Sequence, residues 1–295
     1  MNDFQKKQIQ EALNAYCEKF PSQAKAVNSL VNVGEATIIN IRKDKWQNIS
    51  DEMWRNVGKQ IGWSENKQGW QIVRTSDFKK LELVFADAQK YANVYAITGS
   101  AGSGKSASAK YYASENKNAF HLSCAEYFNR KMFLAKLLEV MGKDNLGYNV
   151  SEMMDYVVGI LRKMENPIII LDEADKLNDQ VLYFFITLYN QLEGKCAIVL
   201  MATEFLEKRI KRGLKLNKKG YAEIYSRIGR KFLTLGGTTK GDILAICEAN
   251  GITDKDKAQE IYNDCEGDLR RVERNIHKYF VLQEQNNAQK TLKVA

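Results

Sequence analysis

Residues 99–106 read Gly99-Ser100-Ala101-Gly102-Ser103-Gly104-Lys105-Ser106, which fills every fixed position of the pattern G-x-x-x-x-G-K-[ST]. An apolar run, Val94-Tyr95-Ala96-Ile97, comes before it, and a helix-permissive run, Ala107-Ser108-Ala109-Lys110-Tyr111-Tyr112, comes after it. Strand, glycine loop and helix in that order make an anion cradle. Glycines let successive backbone N–H groups turn toward one point, and the helix N-terminus adds positive potential. The pattern therefore assigns a nucleotide phosphate chain to Gly99, Ser100, Ala101, Gly102, Ser103, Gly104, Lys105, Ser106 and Ala107. Lys105 is expected on the β- and γ-phosphates, and the Ser106 hydroxyl on Mg²⁺.

A second stretch points the same way. Pro167-Ile168-Ile169-Ile170-Leu171-Asp172-Glu173-Ala174-Asp175 is a short apolar strand that runs into acids. A strand buried on both faces reads as a continuous apolar run, as in a parallel sheet. Asp172, at the strand end, is placed to hold Mg²⁺, directly or through water. Glu173 suits polarising a water for attack on the γ-phosphate, since in-line hydrolysis needs positioned charge and positioned water.

Three further positions suit a ring-forming ATPase. Thr203 follows the fourth expected strand, where its hydroxyl can orient the attacking water or simply cap a helix. In Ser226-Arg227-Ile228-Gly229-Arg230, an arginine can project into the next subunit's γ-phosphate, with Arg227 the first choice and Arg230 the second; the alternative is DNA or surface contact. Gly267-Asp268-Leu269-Arg270-Arg271 opens the last expected helix, so Arg270 can fold back over the nucleotide or pair with surface acids.

Composition bounds the rest. The 295 residues suggest about two domains. No run of about 18 apolar residues exists and the N-terminus has no apolar signal core, so no membrane partner is expected. The five cysteines (17, 124, 196, 247 and 265) are scattered and odd in number, which reads as buried thiols in a reducing cytoplasm. With His121 and His277 they make no zinc spacing, and the metal expected is the Mg²⁺ of the nucleotide.

The net charge is +8, and residues 204–231 alone carry 10 basic side chains against 3 acidic ones. Such a stripe is the footprint of a polyanion partner. Lys208, Arg209, Lys211 and Arg212 are candidates to bind DNA phosphates, as are Arg130 and Lys131 in the loop expected after the second strand.

Helical spacing in the first 65 residues predicts short helices at 5–19, 22–31 and 35–43 and another from Ser50, with a turn at Asn32-Val33-Gly34. That is a helix-turn-helix outline in which Glu35, Thr37, Asn40, Arg42 and Lys43 face DNA; a small helical protein-docking module is the alternative. A polar linker is expected at 64–69. Strands are predicted at 93–98, 119–123, 167–171, 196–201 and 231–235, with helices at 75–91, 105–114, 129–141, 151–164 and 179–192, and three more within 238–285. The fold class is α/β: a five-stranded parallel sheet in a P-loop core (75–236), a small helical lid (237–285) and a flexible tail (286–295), preceded by an all-α helix-turn-helix domain (1–65).

The set formed by the phosphate loop 99–106, Ile170-Leu171-Asp172-Glu173, Ala202-Thr203, Ser226-Arg227 and Gly267-Asp268-Leu269-Arg270 resembles the AAA+ ATPases. It covers residues 75–285 in that family's order. A helix-turn-helix ahead of the ATPase in a chain of this length is similar to the phage Mu transposition protein B family. So is the run Ala24, Asn28, Glu35-Ala36-Thr37-Ile38, Arg42, Trp46 and Ile49-Ser50. That resemblance implies ATP bound between subunits and ATP-dependent filaments on duplex DNA with little sequence preference. It further implies delivery of target DNA to a cognate transposase, whose stimulation of hydrolysis disassembles the filament, and a setting in the bacterial cytoplasm, encoded by a phage or mobile element. The chain departs from many AAA+ proteins in carrying Thr203 where they have Asn. Two other readings stay open: a replication-initiator or helicase-loader ATPase, and a nucleotide-switched regulator whose helix-turn-helix reads one operator.

Overall fold

The structure, a computed structural model, describes residues 1, 3–18, 20, 22–63, 70–144 and 147–294. The expected linker at 64–69 lies outside them. The chain divides into two compact units, Met1–Trp70 and Gln71–Ala295.

The first unit contains α1 (Asp3–Glu18), α2 (Gln23–Asn28), α3 (Glu35–Arg42) and α4 (Asp51–Gln60). Ser22 and Ser50 start α2 and α4 by accepting the amides of Lys25 and Met53 on their hydroxyls, which satisfies donors the helices leave open. Apolar residues three or four apart, Ile9 and Leu13, Ile38 and Ile41, Trp54 and Val57, meet in one core. The turn between α2 and α3 is held by α4: the Gln60 amide group accepts from the Val31 N–H (2.7 Å) and donates to the Val31 carbonyl (2.8 Å).

The second unit begins with α5 (Ser76–Tyr91), β1 (Val94–Thr98), α6 (Lys105–Glu115), β2 (Ala119–Ser123), α7 (Arg130–Val140), α8 (Val150–Leu161) and β3 (Ile168–Asp172). After a 3₁₀ turn at Ala174–Lys176 come α9 (Asp179–Leu192), β4 (Ala197–Ala202), α10 (Glu204–Lys215), α11 (Tyr221–Arg227) and β5 (Phe232–Thr234). Helices α12 (Lys240–Ala249), α13 (Lys255–Cys265) and α14 (Leu269–Val294) follow. The strands form one parallel sheet in the order β2-β3-β4-β1-β5, as the alternation of strands and helices predicts.

The sheet is covered on both faces. Ala96, Leu122, Ile169, Leu171, Ile198 and Leu200 point one way, into a core with Phe133 and Leu137 of α7, Val157 of α8 and Phe185 of α9. Ile97, Ile168, Ile170, Val199 and Met201 point the other way, onto Leu81 and Phe85 of α5 and Ala109 and Tyr112 of α6. All five β3 residues are buried, which explains the unbroken apolar run ahead of the acids. Among the described residues no helix is long and apolar enough to cross a membrane.

Two elements differ from expectation. The stretch read as a basic stripe is two helices, α10 and α11. Leu206, Ile210 and Gly213 of α10 are buried, and the abundance of charge hid that periodicity. The last helix also continues to Val294, through most of the segment expected to be a tail.

Candidate nucleotide site

Residues 99–104 join β1 to α6 at the carboxyl edge of the sheet. Gly102 and Gly104 take φ of 77° and 85°, a region that side-chain-bearing residues adopt at a cost. The N-cap of α6, Gly104, provides no side-chain hydrogen bond, whereas α5, α7, α8, α9 and α10 are each capped by Thr or Asn. The first α6 amide to bond back is that of Ser108, to the Gly104 carbonyl at 3.0 Å. The amides of Lys105, Ser106 and Ala107 are thus directed at the loop, where an anion is the natural acceptor.

Lys105 is 8% exposed. Its Nζ donates to the carbonyls of Gly99 (2.8 Å) and Ser100 (2.7 Å) and to Ser103 Oγ (3.3 Å). Burial holds the ammonium below its usual range against the pull of Asp172 and Asp175, and the Arg270 charge adds to the lowering. An ammonium among neutral acceptors, three open helix amides and a second cation nearby fit a polyphosphate.

The lid helix α14 touches this loop directly. The Leu269 N–H donates to the Gly102 carbonyl at 3.0 Å, and a Cβ added at Gly102 would collide with the Asp268 carboxylate. Gly102→Ala is therefore expected to lower stability by about 1–3 kcal/mol through backbone strain and to push α14 off the loop. Protease cleavage near 265–269 should rise with it; unchanged melting and unchanged cleavage would show the contact to be dispensable.

Across from the loop, Asp172 is 2% exposed. Its Oδ1 accepts the Glu173 amide at 2.9 Å, and its Oδ2 lies 3.3 Å from His121 Nε2. Burial pushes the carboxyl up, but the His121 and Ser106 hydrogen bonds outweigh that and hold it below its ordinary value. A hard cation seeks oxygen ligands, and Ser106 and Asp172 present two of them side by side. These residues fit a nucleotide-bound Mg²⁺. Glu173 follows in a left-handed backbone conformation, φ 55° and ψ 38°. Its Oε2 accepts from Lys176 Nζ at 2.9 Å and lies 3.5 Å from Ser123 Oγ.

Thr203 caps α10, accepting the Phe205 amide at 3.3 Å, and donates its hydroxyl proton to Asp175 at 2.7 Å. The capping alternative is thus realised, with Asp175 between the hydroxyl and any other partner. The two arginines after α11's start also separate. Arg227 lies on its own subunit: Nε and Nη2 donate to Asn190 Oδ1 (3.0 and 2.8 Å), and the guanidinium stands over the Tyr189 ring. Arg230 is exposed, with φ 56°, and makes no ion pair or side-chain hydrogen bond among the described residues.

The basic candidates sort in the same way. Arg209 leaves the DNA set: its guanidinium donates to the Leu177 carbonyl (2.6 Å), to Tyr221 Oη (3.1 Å) and to Asp179. It therefore ties α10 to α9 and α11. Lys208 and Lys211 reach back to Glu204 and Glu207, whereas Arg212, Lys215, Lys218 and Lys219 are exposed and in no ion pair among the described residues. In the first unit, Arg42 donates to Asn14 Oδ1 (3.0 Å) and Gln23 Oε1 (2.7 Å), which binds α3 to α1 and α2 and removes it from the free set. Lys43 is exposed, and Thr37 and Asn40 are half-buried. Arg130 and Lys131 stand in the first turn of α7 and not in a loop; Asn129 caps that helix by accepting the Met132 amide at 2.9 Å.

Sequence reading passed over His121 and Ser123. Both sit on β2, two residues apart, and so face the same side. Polar residues at alternate positions near the end of an expected strand were the available signal.

Residues 88–210 match the family model of the AAA domain. Among solved structures, the chain is similar to Cdc6p from Pyrobaculum aerophilum, at 16% identity and a TM-score of 0.43 over 63% of this chain and 51% of that one. It is also similar to NtrX from Brucella abortus in complex with ATP, at 13% identity and a TM-score of 0.48 over 85% of this chain and 57% of that one. The chain spans little more than half the length of these two structures. No curated protein matches it. The phosphate loop, Asp172, Glu173 and Thr203 lie inside the matched span; Arg227, Arg230 and Arg270 lie beyond it. What the chain shares with the AAA domain is thus similarity over residues 88–210.

Proposed function

We propose that this protein is a Mg²⁺-dependent ATPase that binds duplex DNA with little sequence preference, assembles on it as an ATP-dependent homo-oligomer or filament, and delivers target DNA to a cognate transposase. The observation that carries the ATPase reading is the meeting of three groups from distant parts of the chain: Lys105 in the loop, the Ser106–Asp172 oxygen pair, and Glu173 beside them. Lys105 and the α6 amides bind the phosphates. Ser106 and Asp172 hold Mg²⁺, which when bound neutralises phosphate charge. Glu173 accepts a proton from the attacking water. Arg270 covers the nucleotide from the lid, and Arg230, being exposed, is the arginine offered to a neighbouring subunit.

The DNA reading is supported by α7. Arg130 and Lys131 occupy its first turn and no acid stands there, the reverse of the charge distribution a helix dipole favours. Two cations at the positive end of a helix raise the local potential, and a phosphate backbone relieves it. Phosphate contacts leave sequence unread, as sliding assembly on arbitrary DNA requires. The exposed Arg212, Lys215, Lys218 and Lys219 extend the same chemistry, while Thr37, Asn40 and Lys43 belong to the helix-turn-helix of the first unit. The transposition role rests on the resemblance of the motif set and of the N-terminal run.

Arg130→Glu/Lys131→Glu is expected to weaken binding to a random-sequence duplex at least tenfold and to flatten its salt dependence, with ATP affinity unchanged. Fluorescence anisotropy across a salt series reads both effects, and unaltered DNA affinity would remove α7 from the interface. Electron microscopy with ATP and the same duplex tests assembly. Filaments are expected, and monomers that ignore DNA under a non-hydrolysable ATP analogue would overturn the proposal.

A further inference from the structure

We infer that His121 is a positioning residue for the metal site: it fixes the carboxylate plane of Asp172 and so sets how tightly the site holds nucleotide-bound Mg²⁺. This rests on the reading of Asp172 and Ser106 as the metal pair.

The contact comes from sheet register. β2 pairs with β3 in parallel, with Ser123 opposite Asp172 and His121 opposite Ile170. His121 and Ser123 share a face of β2, and each meets one of the two acids: His121 Nε2 lies 3.3 Å from Asp172 Oδ2, and Ser123 Oγ 3.5 Å from Glu173 Oε2. The His121 side chain is 11% exposed and that of Asp172 3%, so water contributes little to either partner.

The direction of the bond follows from the acceptor. A carboxylate only accepts, so across the 3.3 Å contact with Asp172 Oδ2 it is Nε2 that carries the proton and donates. The Glu173 amide fixes Oδ1 at 2.9 Å, and His121 fixes Oδ2. One donor on each oxygen, the Glu173 amide on Oδ1 and His121 Nε2 on Oδ2, restrains the carboxylate against rotation about its bond to Cβ. Removing the His121 donor leaves a buried oxygen short of a partner, which is unfavourable, and frees the plane to turn. Groups that orient a metal-ligating side chain commonly change metal affinity by about 10–100-fold when replaced.

Two polar substitutions separate positioning from packing. In His121→Gln the amide nitrogen lies about where Nε2 sits, and in His121→Asn about where Nδ1 sits. Circular dichroism checks that both fold. Binding of a fluorescent ATP analogue is then titrated with MgCl₂ and compared with binding in EDTA. His121→Asn is expected to bind the metal-free nucleotide as the wild type does and to need about 10–100-fold more Mg²⁺ for half of the metal-dependent gain. His121→Gln is expected to stay within about threefold of wild type, since its donor is kept. A wild-type Mg²⁺ requirement in His121→Asn, or equal impairment of both variants, overturns the role. If the wild-type protein itself binds ATP with no response to Mg²⁺, the metal reading of Ser106 and Asp172 falls and this inference falls with it. Loss of ATP binding altogether in the wild type would instead remove the nucleotide site.

Discussion

Glu173→Gln binds ATP with wild-type affinity and hydrolyses it about 10²–10⁴-fold more slowly. The substitution is nearly isosteric and keeps an amide oxygen for the contacts of Glu173 Oε2 with Ser123 and Lys176. The ion pair with Lys176 that it weakens is exposed, with side chains 39% and 41% accessible, and exposed pairs contribute about 0–1 kcal/mol. Folding is therefore little changed. The phosphate-binding groups, Lys105 and the α6 amides, are untouched, so affinity stays. What is lost is the carboxylate that follows Asp172, and with it the group proposed to take a proton from water. Its left-handed backbone is anchored by the 2.9 Å bond from its amide to Asp172 Oδ1, and a strained conformation of this kind persists only where neighbours hold it. Phosphate release measured beside binding of a fluorescent analogue checks the result. Turnover within threefold of wild type would remove Glu173 from the chemistry.

Trp54→Ala unfolds the first unit and leaves the second intact. Trp54 is fully buried in the core formed by Ile9, Leu13, Ile38, Ile41 and Val57, and the Trp46 ring meets it edge-on with centroids 5.6 Å apart. Replacing a buried Trp by Ala destabilises by about 3–5 kcal/mol. A unit of this size has roughly 3–10 kcal/mol in total, so the change removes most or all of it. The core of the second unit shares no residue with this cluster, and nucleotide binding should persist. Calorimetry is expected to show one transition lost or moved far down and the other unmoved. Coincident loss of both would show that the two units fold as one.

Parts of the site were legible because their meaning is local. The loop 99–106 carries its anion cradle in eight consecutive residues, and two of its glycines, Gly102 and Gly104, take positive φ. Asp172 and Glu173 were legible because a fully buried strand leaves an unbroken apolar run, and the acids mark where it emerges. The five strands and their parallel order followed from the alternation of elements. The same reasoning did not show the partners of Arg209 and Arg42, because a count of charges has no access to Asp179, 30 residues away, or to Asn14 across a helical core. It also ranked Arg227 over Arg230, although Asn190 and Tyr189 of α9 hold the former on its own subunit.

The sequence by itself determined where phosphate would bind and which strand would bring acids to it, because covalent neighbours and hydrophobic period suffice for both. Tertiary structure decided which charges stay free and which polar residue meets Asp172. Arg209 is drawn inside by α9 and α11, Arg230 is left outside by a turn, and His121 reaches Asp172 only because β2 and β3 pair in one register out of several. Pairing and burial join residues far apart in the chain, and their energies depend on distances that no linear pattern encodes.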